Sequence, residues 1–272
     1  LHLDNLGFGE HADRVLRSSI AASQGMVLVT GPTGSGKSTT LYACLNEINQ
    51  DGINILTAED PVEYVMEGIG QVQIKEHIGL TFSSVLRSFL RQDPEVILVG
   101  EIRDKETADI AIKASLTGHL VLSTLHTNDA VSTVTRLVNM GVEPYLVVAA
   151  LTLVVGQRLA RKNCSHCVAE DTVRPEQLRL IGLTPAEMSP IVTYRGKGCQ
   201  ACNGTGYKGR QGIYEVLEIT PRLKHAILAG QDTDELLAIA IEEGFQTLQR
   251  VGLDYVKQGL LSVEEYQRVL LF

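Results

Sequence analysis

The sequence predicts an α/β fold with a mainly parallel sheet, and three features of the 272-residue chain support this prediction. Short apolar runs alternate with amphipathic segments, as strands and helices do in such folds. A glycine-rich segment lies between the first apolar run and a helical pattern. Acidic residues and a histidine follow later apolar runs, at the sheet edge where ligands bind in open α/β folds.

A lead-in helix is predicted within residues 1–25, where Val15, Leu16 and Ile20 are the apolar positions. The run "MVLVT" that follows is continuous and apolar, which is typical of a strand buried on both faces. Further strands are predicted at "INILTAED", "EVILVGEIRD" and "HLVLSTLHT", with helices at "STTLYACLNEIN", "FSSVLRSFLRQ", "KETADIAIKASLT" and "DAVSTVTRLVNM". The run Tyr145–Val155 predicts a buried helix, because it is half of the roughly 20 residues that a membrane-spanning helix needs.

The pattern divides the chain into three predicted segments. Residues 1–160 form the α/β domain, with 1–25 as its lead-in helix and linker. Residues 161–212 carry two cysteine pairs, many glycines and little apolar periodicity. Residues 213–272 return to helical patterns with cap-type residues at their ends, and predict a helical subdomain.

Composition and charge narrow the class of protein. The net charge of −8 argues against a broad nucleic-acid surface, although a few backbone N–H groups can still bind phosphate. Five cysteines, four of them in CxxC pairs, do not suit an extracellular disulfide framework. No secretory signal and no transmembrane segment is found, so we expect a cytoplasmic protein. The first residue is Leu rather than Met, and we expect a piece of a longer protein.

The glycine-rich segment fits the phosphate-loop pattern G-x4-G-K-[ST] between a predicted strand and a predicted helix. Glycines let a chain wrap a phosphate with its N–H groups pointing inward, and the following helix adds its positive dipole end. A chance match is expected in roughly one chain in a hundred. In this pattern Lys37 reaches the β/γ-phosphates and Ser38 binds Mg²⁺. The candidate phosphate-binding residues are Gly31, Pro32, Thr33, Gly34, Ser35, Gly36, Lys37, Ser38 and Thr39.

Acidic residues follow two of the predicted strands. A nucleoside triphosphatase needs a second contact to Mg²⁺ and a group that positions water. Glu101 comes one residue after the run "VILVG", and Glu59, Asp60 and Glu63 follow "INILTA". The alternative for either cluster is a helix N-cap or a solvated strand end. Beside a phosphate loop, we favour functional roles for Glu59 and Glu101.

A histidine and two arginines are further candidates. His126 ends the predicted strand "HLVLSTLHT" at the ligand edge, although a lone histidine can equally be a satisfied core or surface residue. Arg87 and Arg91 are four residues apart and are predicted to share one helix face. They are either surface arginines or groups that stabilise phosphoryl charge, within a subunit or across an interface.

Four cysteines form two CxxC pairs, Cys164/Cys167 and Cys199/Cys202. Four thiolates suit a closed, tetrahedral, structural Zn²⁺ site, and a redox pair or simple buried thiols are the alternatives. We favour zinc, because redox use needs one pair and not two. Cys44, in the helix after the phosphate loop, is interpreted as core filler.

Four of these segments resemble the motifs of a known family. "GPTGSGKSTTLY", "AEDPVEY", "LRSFLRQDPEVILVGEIRDKETA" and "TGHLVLSTLHTNDA" are similar to the Walker A, Asp-box, Walker B and His-box segments of the type II secretion / type IV pilus assembly ATPases. "CSHC" and "CQACNGTGYKGRQGIYEVL" resemble the zinc-binding four-cysteine segment of the assembly and secretion branch. The pilus-retraction branch lacks that segment.

The resemblance implies a RecA-like P-loop NTPase core that uses ATP, Mg²⁺ and Zn²⁺ and works as a homo-hexamer. It implies that Glu59 activates the attacking water, that Glu101 lies near Mg²⁺, and that His126 senses or positions the γ-phosphate. Arg87 and Arg91 match arginines near the nucleotide or the subunit boundary. The choice between Glu59 and Glu101 as general base stays open, and we favour Glu59.

The resemblance also implies partners. These are inner-membrane platform proteins of a pilus or secretion system, with the motor held peripherally at that membrane and no nucleic acid bound. Family members carry an N-terminal domain that "LHLDNLGF" would follow. The alternative function is a RecA-like nucleic-acid translocase. The acidic balance and an aromatic content of 5% without Trp disfavour that alternative.

Overall fold

The computed structural model describes residues 1–271. Its strands within that range are β1 Gly25–Thr30, β2 Ile55–Glu59, β3 Gly70–Gln73, β4 Val96–Val99, β5 Leu120–Leu125, β6 Leu151–Asn163, β7 Val168–Asp171, β8 Thr193–Gly196 and β9 Tyr207–Glu218. Its α-helices are α1 Glu10–Ile20, α2 Lys37–Ile48, α3 Phe82–Phe89, α4 Lys105–Leu116, α5 Ala130–Asn139, α6 Pro144–Ala150, α7 Pro175–Leu180, α8 Pro185–Met188, α9 Pro221–Leu228, α10 Thr233–Glu242, α11 Leu248–Lys257 and α12 Val263–Leu270.

The main sheet has the strand order β3-β2-β4-β5-β1-β6-β9. From β3 to β6 each neighbouring pair is parallel. Every residue of β1, β4 and β5 is buried, as their continuous apolar sequences predict. The predicted α/β fold with a mainly parallel sheet is therefore confirmed, and the carboxyl ends of β1, β2, β4 and β5 lie along one edge.

The helix of the two candidate arginines is shorter than predicted. Thr81 caps α3 through a reciprocal pair of bonds with Ser84, and the helix ends at Phe89. Arg87 lies in its last turn, whereas Arg91 lies beyond the helix and bonds through its backbone N–H to the carbonyl of Ser88 at 3.2 Å. The prediction that both arginines share one helix face is wrong.

The apolar run Tyr145–Val155 is only partly helical, so the prediction of one buried helix is wrong. Helix α6 ends at Ala150, and β6 starts at Leu151. Leu151 and residues 153–156 pair with β1 in the main sheet, and the register shifts between them. The β-branched Thr152, Val154 and Val155 suit a pleated strand, and pairing with a buried neighbour outweighs the helical pattern.

Two compact units divide the chain. One unit contains Leu1–Gly156 and Val216–Phe245, and the other contains Gln157–Glu215 with the described residues from Gln246 onward. Strands β6 and β9 have residues in both units. The predicted segment 213–272 is therefore shared between the two units, because α9 and α10 belong with the first and α11 and α12 with the second.

Each unit has its own hydrophobic core. The first core includes Leu28, Ile97 and Val121 from the strands and Phe82 and Leu86 from α3. The second core is centred on the final helices, and its fully buried members include Ile213, Leu248, Val256, Leu261 and Tyr266. No helix among residues 1–271 is both long enough and apolar enough to cross a bilayer.

Candidate functional site

The glycine-rich loop lies between the end of β1 and the start of α2. Gly34 and Gly36 have φ angles of 81° and 89°, in the left-handed region that only glycine adopts freely. Gly36 is the N-cap of α2 and has no side chain that could cap the helix. The first backbone N–H groups of α2 can therefore serve an anion, with the helix dipole favouring negative charge.

Lys37 is the first residue of α2 and is nearly buried, with 9% of its surface exposed. Its Nζ donates to the carbonyl oxygens of Gly31 at 2.9 Å and of Pro32 at 3.0 Å. The ammonium group thus lies against the loop whose N–H groups would hold a phosphate. A phosphate could replace those two carbonyls as its partner, with a stronger, charge-assisted bond.

Glu59 ends β2 and is buried, with 4% of its surface exposed. Tyr42 on α2 donates to its Oε1, and Thr57 donates to its Oε2 at 2.6 Å. The Nε2 group of Gln71 on β3 also donates to Oε2, at 3.1 Å. The carboxylate therefore accepts hydrogen bonds from three elements. These are strands β2 and β3 and helix α2, which follows the phosphate loop.

Tyr42 and Gln71 were not identified from the sequence. Burial, followed by the hydrogen bond to Glu59, raises the pKa of the Tyr42 phenol, so the phenol stays protonated and donates. The only available signal was a tyrosine at an apolar position of "STTLYACLNEIN", in the helix that follows the loop.

Glu101 and His126 come together from neighbouring strands. Glu101 follows β4 by one residue and His126 follows β5 directly, and the two strands pair in parallel. The Oε2 of Glu101 and the Nε2 of His126 lie 3.0 Å apart. The predicted meeting of these groups at the carboxyl edge is thus present in the geometry, while their roles stay predictions.

Arg103 holds the other side of Glu101. Its Nε donates to Oε1 of Glu101 at 2.6 Å. Partial burial alone would raise the pKa of Glu101, but the hydrogen bond and charge of Arg103, together with His126, outweigh burial and lower that pKa. Glu101 is therefore a carboxylate at neutral pH, the form that a divalent cation requires.

Arg103 is a further residue that could not be selected from the sequence. Its two terminal nitrogens reach Asp60 at 3.2 Å and Glu76 at 3.3 Å, and its guanidinium lies 5.5 Å from the ring centroid of Phe82. Its position two residues after Glu101 in "GEIRD" was the available signal. One arginine thus joins three carboxylates that follow β2, β3 and β4.

The two arginines predicted to stabilise phosphoryl charge, Arg87 and Arg91, are both exposed. Arg87 is exposed and pairs with Glu106 on α4 at 2.7 Å. Arg91 is exposed beyond the end of α3. Their assignment as charge-stabilising groups stays a prediction.

The four paired cysteines form a second candidate site, in the second compact unit. Their sulfur atoms all lie within 4.8 Å of one another. The Sγ atoms of Cys164 and Cys199 are 3.9 Å apart, as are those of Cys167 and Cys202. Four sulfurs at about 2.3 Å from a tetrahedral Zn²⁺ would be about 3.8 Å apart, so the donor set fits this ion.

Backbone geometry supports the cysteine cluster. The N–H groups of Cys199 and Gly206 donate to Sγ of Cys202 at 3.2 Å each. These bonds lower the pKa of that thiol to about 6, which favours the thiolate that metals bind. A Cβ on Gly196 would lie 1.9 Å from the carbonyl oxygen of Gly206, so glycine is needed where the chain before Cys199 passes close to the chain after Cys202.

Comparison with known families gives a direct match. The model of the family described as "Type II/IV secretion system protein" matches residues 1–268. The chain belongs to this family. The resemblance inferred from the motifs is therefore confirmed, and the match extends through both candidate sites.

Curated members of the family are similar over nearly the whole chain. A "Type IV pilus assembly ATPase PilB" of Thermus thermophilus is 49% identical over 263 residues, which cover 97% of this chain and 30% of that protein. A "Type II secretion system ATPase E" of Vibrio cholerae is 47% identical over 269 residues, covering 99% of this chain and 53% of that protein. The chain thus spans between about a third and about a half of the length of these relatives.

A solved structure of the same kind is the pilus retraction motor PilT with bound ADP. It superposes with a TM-score of 0.72 at 30% sequence identity, covering 98% of this chain and 66% of the PilT chain. These three relatives are therefore named as ATPases or motors of pilus and secretion systems. The present chain therefore shares its fold with PilT, and the PilT structure contains bound ADP.

Proposed function

We propose that this chain is the ATPase region of a motor that hydrolyses ATP to power type IV pilus assembly or type II protein secretion. The observation that carries the proposal is the meeting of four features at one sheet edge. These are the loop of residues 31–39, the buried Glu59, Glu101, and His126, which lies 3.0 Å from Glu101. The names of the relatives support the pilus or secretion target.

The residues would act as follows. The N–H groups of Gly31–Thr39 bind the phosphates, and Lys37 exchanges the carbonyls of Gly31 and Pro32 for the β- and γ-phosphates. Glu59 orients the attacking water. Bound Mg²⁺, held by Ser38 and by Glu101 directly or through water, would neutralise phosphate charge.

His126 would contact the γ-phosphate, and it can report phosphate loss to Glu101 through the contact of 3.0 Å. Arg87 and Arg91, both exposed, would add positive charge across a subunit boundary. We further propose that the chain works as a homo-hexamer.

The proposed hexamer acts on inner-membrane platform proteins from the cytoplasmic side. The cluster of Cys164, Cys167, Cys199 and Cys202 would hold one structural Zn²⁺. A nucleic-acid translocase finds no support among the three relatives, which are named for pili and secretion.

The test is phosphate release from Mg·ATP by the full chain. We expect Glu59→Gln and Glu101→Gln each to lower kcat by about a hundredfold or more, since each removes a group that acts on the transition state. Glu10→Gln, an exposed carboxylate on α1, is the matched control and should keep wild-type activity. Wild-type rates in both site variants would refute the assignment, and stimulation by single- or double-stranded DNA would favour the translocase.

A further inference from the structure

Tyr42 connects the phosphate loop to Glu59. It lies five residues after Lys37 on α2, and only 2% of its surface is exposed. Its hydroxyl donates to Oε1 of Glu59 and accepts from the backbone N–H of Glu63 at 3.2 Å. A single hydroxyl thus joins the helix that follows the phosphate loop, the end of β2 and the segment after β2.

The three donors to Glu59 divide unequally between its two oxygens. A carboxylate offers about two acceptor directions on each oxygen. Thr57 and Gln71 both donate to Oε2, which would fill its two directions at one donor each, whereas Tyr42 donates to Oε1. The second direction of Oε1, beside the Tyr42 hydroxyl, is then the one that a water molecule would use.

We propose that Tyr42 is a positioning residue for hydrolysis, which fixes Oε1 of Glu59 so that its second acceptor direction holds the attacking water. The inference rests on the proposed function, because it assigns a role within the same ATPase site. Tyr42 would not contact the nucleotide. It acts only through Glu59, and it ties the position of Glu59 to α2, whose N-terminus would carry the phosphates.

Gln71 supports the other oxygen of the same carboxylate. Its Nε2 group donates to the carbonyl oxygen of Tyr64 at 3.1 Å as well as to Glu59, and its Oε1 accepts from the N–H of Met66 at 2.7 Å. The ring of Tyr64 packs edge-on against Tyr42, with centroids 4.6 Å apart. The segment after β2 is therefore attached to both residues that position Glu59.

The experiment compares Tyr42→Phe with Tyr64→Phe in the full chain. Both changes remove one phenolic hydroxyl from the same ring pair, but only Tyr42 bonds to Glu59. We expect Tyr42→Phe to lower kcat for ATP about tenfold, as the loss of one hydrogen bond to a charged group would, while the Kd for a fluorescent ADP analogue changes less than about twofold. Tyr64→Phe should match the wild type in both measurements.

A double variant separates positioning from a general structural effect. In a Glu59→Gln background, Tyr42→Phe should cause no further loss of kcat, because its effect passes through the carboxylate. A wild-type kcat in Tyr42→Phe would overturn the inference. So would a Tyr42→Phe change that lowers kcat by the same factor in the Glu59→Gln background as in the wild type. If Glu59→Gln itself keeps wild-type activity, the proposed role of Glu59 fails instead.

Gln71→Met provides a second route if Tyr42→Phe does not fold. It removes both polar atoms of a partly exposed side chain at nearly constant size. A fall in kcat at unchanged Kd supports the positioning of Glu59 by its donors. Wild-type kcat in Gln71→Met, with Glu59→Gln inactive, would contradict it.

Discussion

Glu265 belongs to the second compact unit, and its side chain is fully buried. It accepts from the backbone N–H and the Nε of Arg161 at 2.8 and 3.1 Å, and from the Nε of Arg268 at 2.8 Å. Burial would raise its pKa, but these bonds outweigh burial and lower the pKa from 4.5 to about 2. The guanidinium of Arg161 also lies 4.2 Å from the ring centroid of Tyr207. Arg161, on β6, therefore contacts both Glu265 on α12 and Tyr207 on β9.

We expect Glu265→Gln to lower the free energy of unfolding by about 2 kcal/mol at neutral pH, a value discounted because both arginines are half exposed. The folded pKa is depressed, so this stabilisation is complete above the ordinary pKa of 4.5 and is lost as pH falls towards about 2. The difference in Tm between wild type and variant should therefore shrink as the pH falls from about 5 to about 3. Scanning calorimetry across that pH range provides the measurement.

Glu264→Gln is the matched control for this prediction. Glu264 is the adjacent residue, is 61% exposed, and pairs with Arg195 at 3.4 Å. Its loss should change stability by less than about 1 kcal/mol, as is usual for surface ion pairs. A Tm difference for Glu265→Gln that is the same at both ends of the pH range would show that the ion pairs are not its cause.

Individual site residues differ in how well the sequence predicts them. Lys37 and Ser38 could be predicted, because the glycine loop and helix start that position them are local features of the chain. Glu59 and Glu101 could be predicted from their place after apolar runs. Arg103 could not, since its partners depend on which strands become neighbours. The same holds for Tyr42, whose apolar position in α2 hides its bond to β2.

At the scale of elements, the cysteine-bearing stretches have little regular structure of their own. Between the pairs lie a two-stranded sheet of β7 and β8 and the short helices α7 and α8. A metal bound by four thiolates would contribute folding free energy directly to such a segment. Because the four sulfurs fit a tetrahedral ion, we expect the folding of this segment to depend on a bound metal.

We expect about one zinc per chain by atomic emission, and faster proteolysis within residues 161–210 after removal of zinc with a strong chelator. Cys164→Ser should lose most of the zinc and gain the same protease sensitivity. Cys44→Ser is the control, because Cys44 lies buried in α2, where burial raises the pKa of its thiol to about 12. Unchanged protease resistance of the metal-free protein would exclude a structural role for the metal.

The hydrophobic pattern of the sequence predicts some elements correctly and others wrongly. The buried strands β1, β4 and β5 could be predicted from continuous apolar runs, and α9–α12 from their caps. The run Tyr145–Val155 could not be divided correctly, because a short apolar run fits a buried helix and a buried strand equally well. Pairing of Leu151 and residues 153–156 with β1 decides between them.

At the scale of the whole molecule, the chain leaves the first compact unit after Gly156 and returns at Val216. Composition along the sequence indicated the change near residue 160, which lies close to the first of these points. The predicted boundary at residue 213 lies close to the second point, but the sequence gave no sign of the third division, after Phe245, because the helices on both sides have similar patterns. Discontinuous units depend on contacts between distant residues, which a single sequence does not reveal.

The central claim is that a nucleoside triphosphate binds in the loop Gly31–Thr39 beside Glu59 and Glu101. The most direct measurement is a structure of the full chain with Mg²⁺ and a non-hydrolysable ATP analogue. We expect the β- and γ-phosphates among the N–H groups of that loop, with Nζ of Lys37 moved from the carbonyls of Gly31 and Pro32 onto the phosphates. A nucleotide bound elsewhere, with Lys37 still bonded to those two carbonyls, would contradict the account.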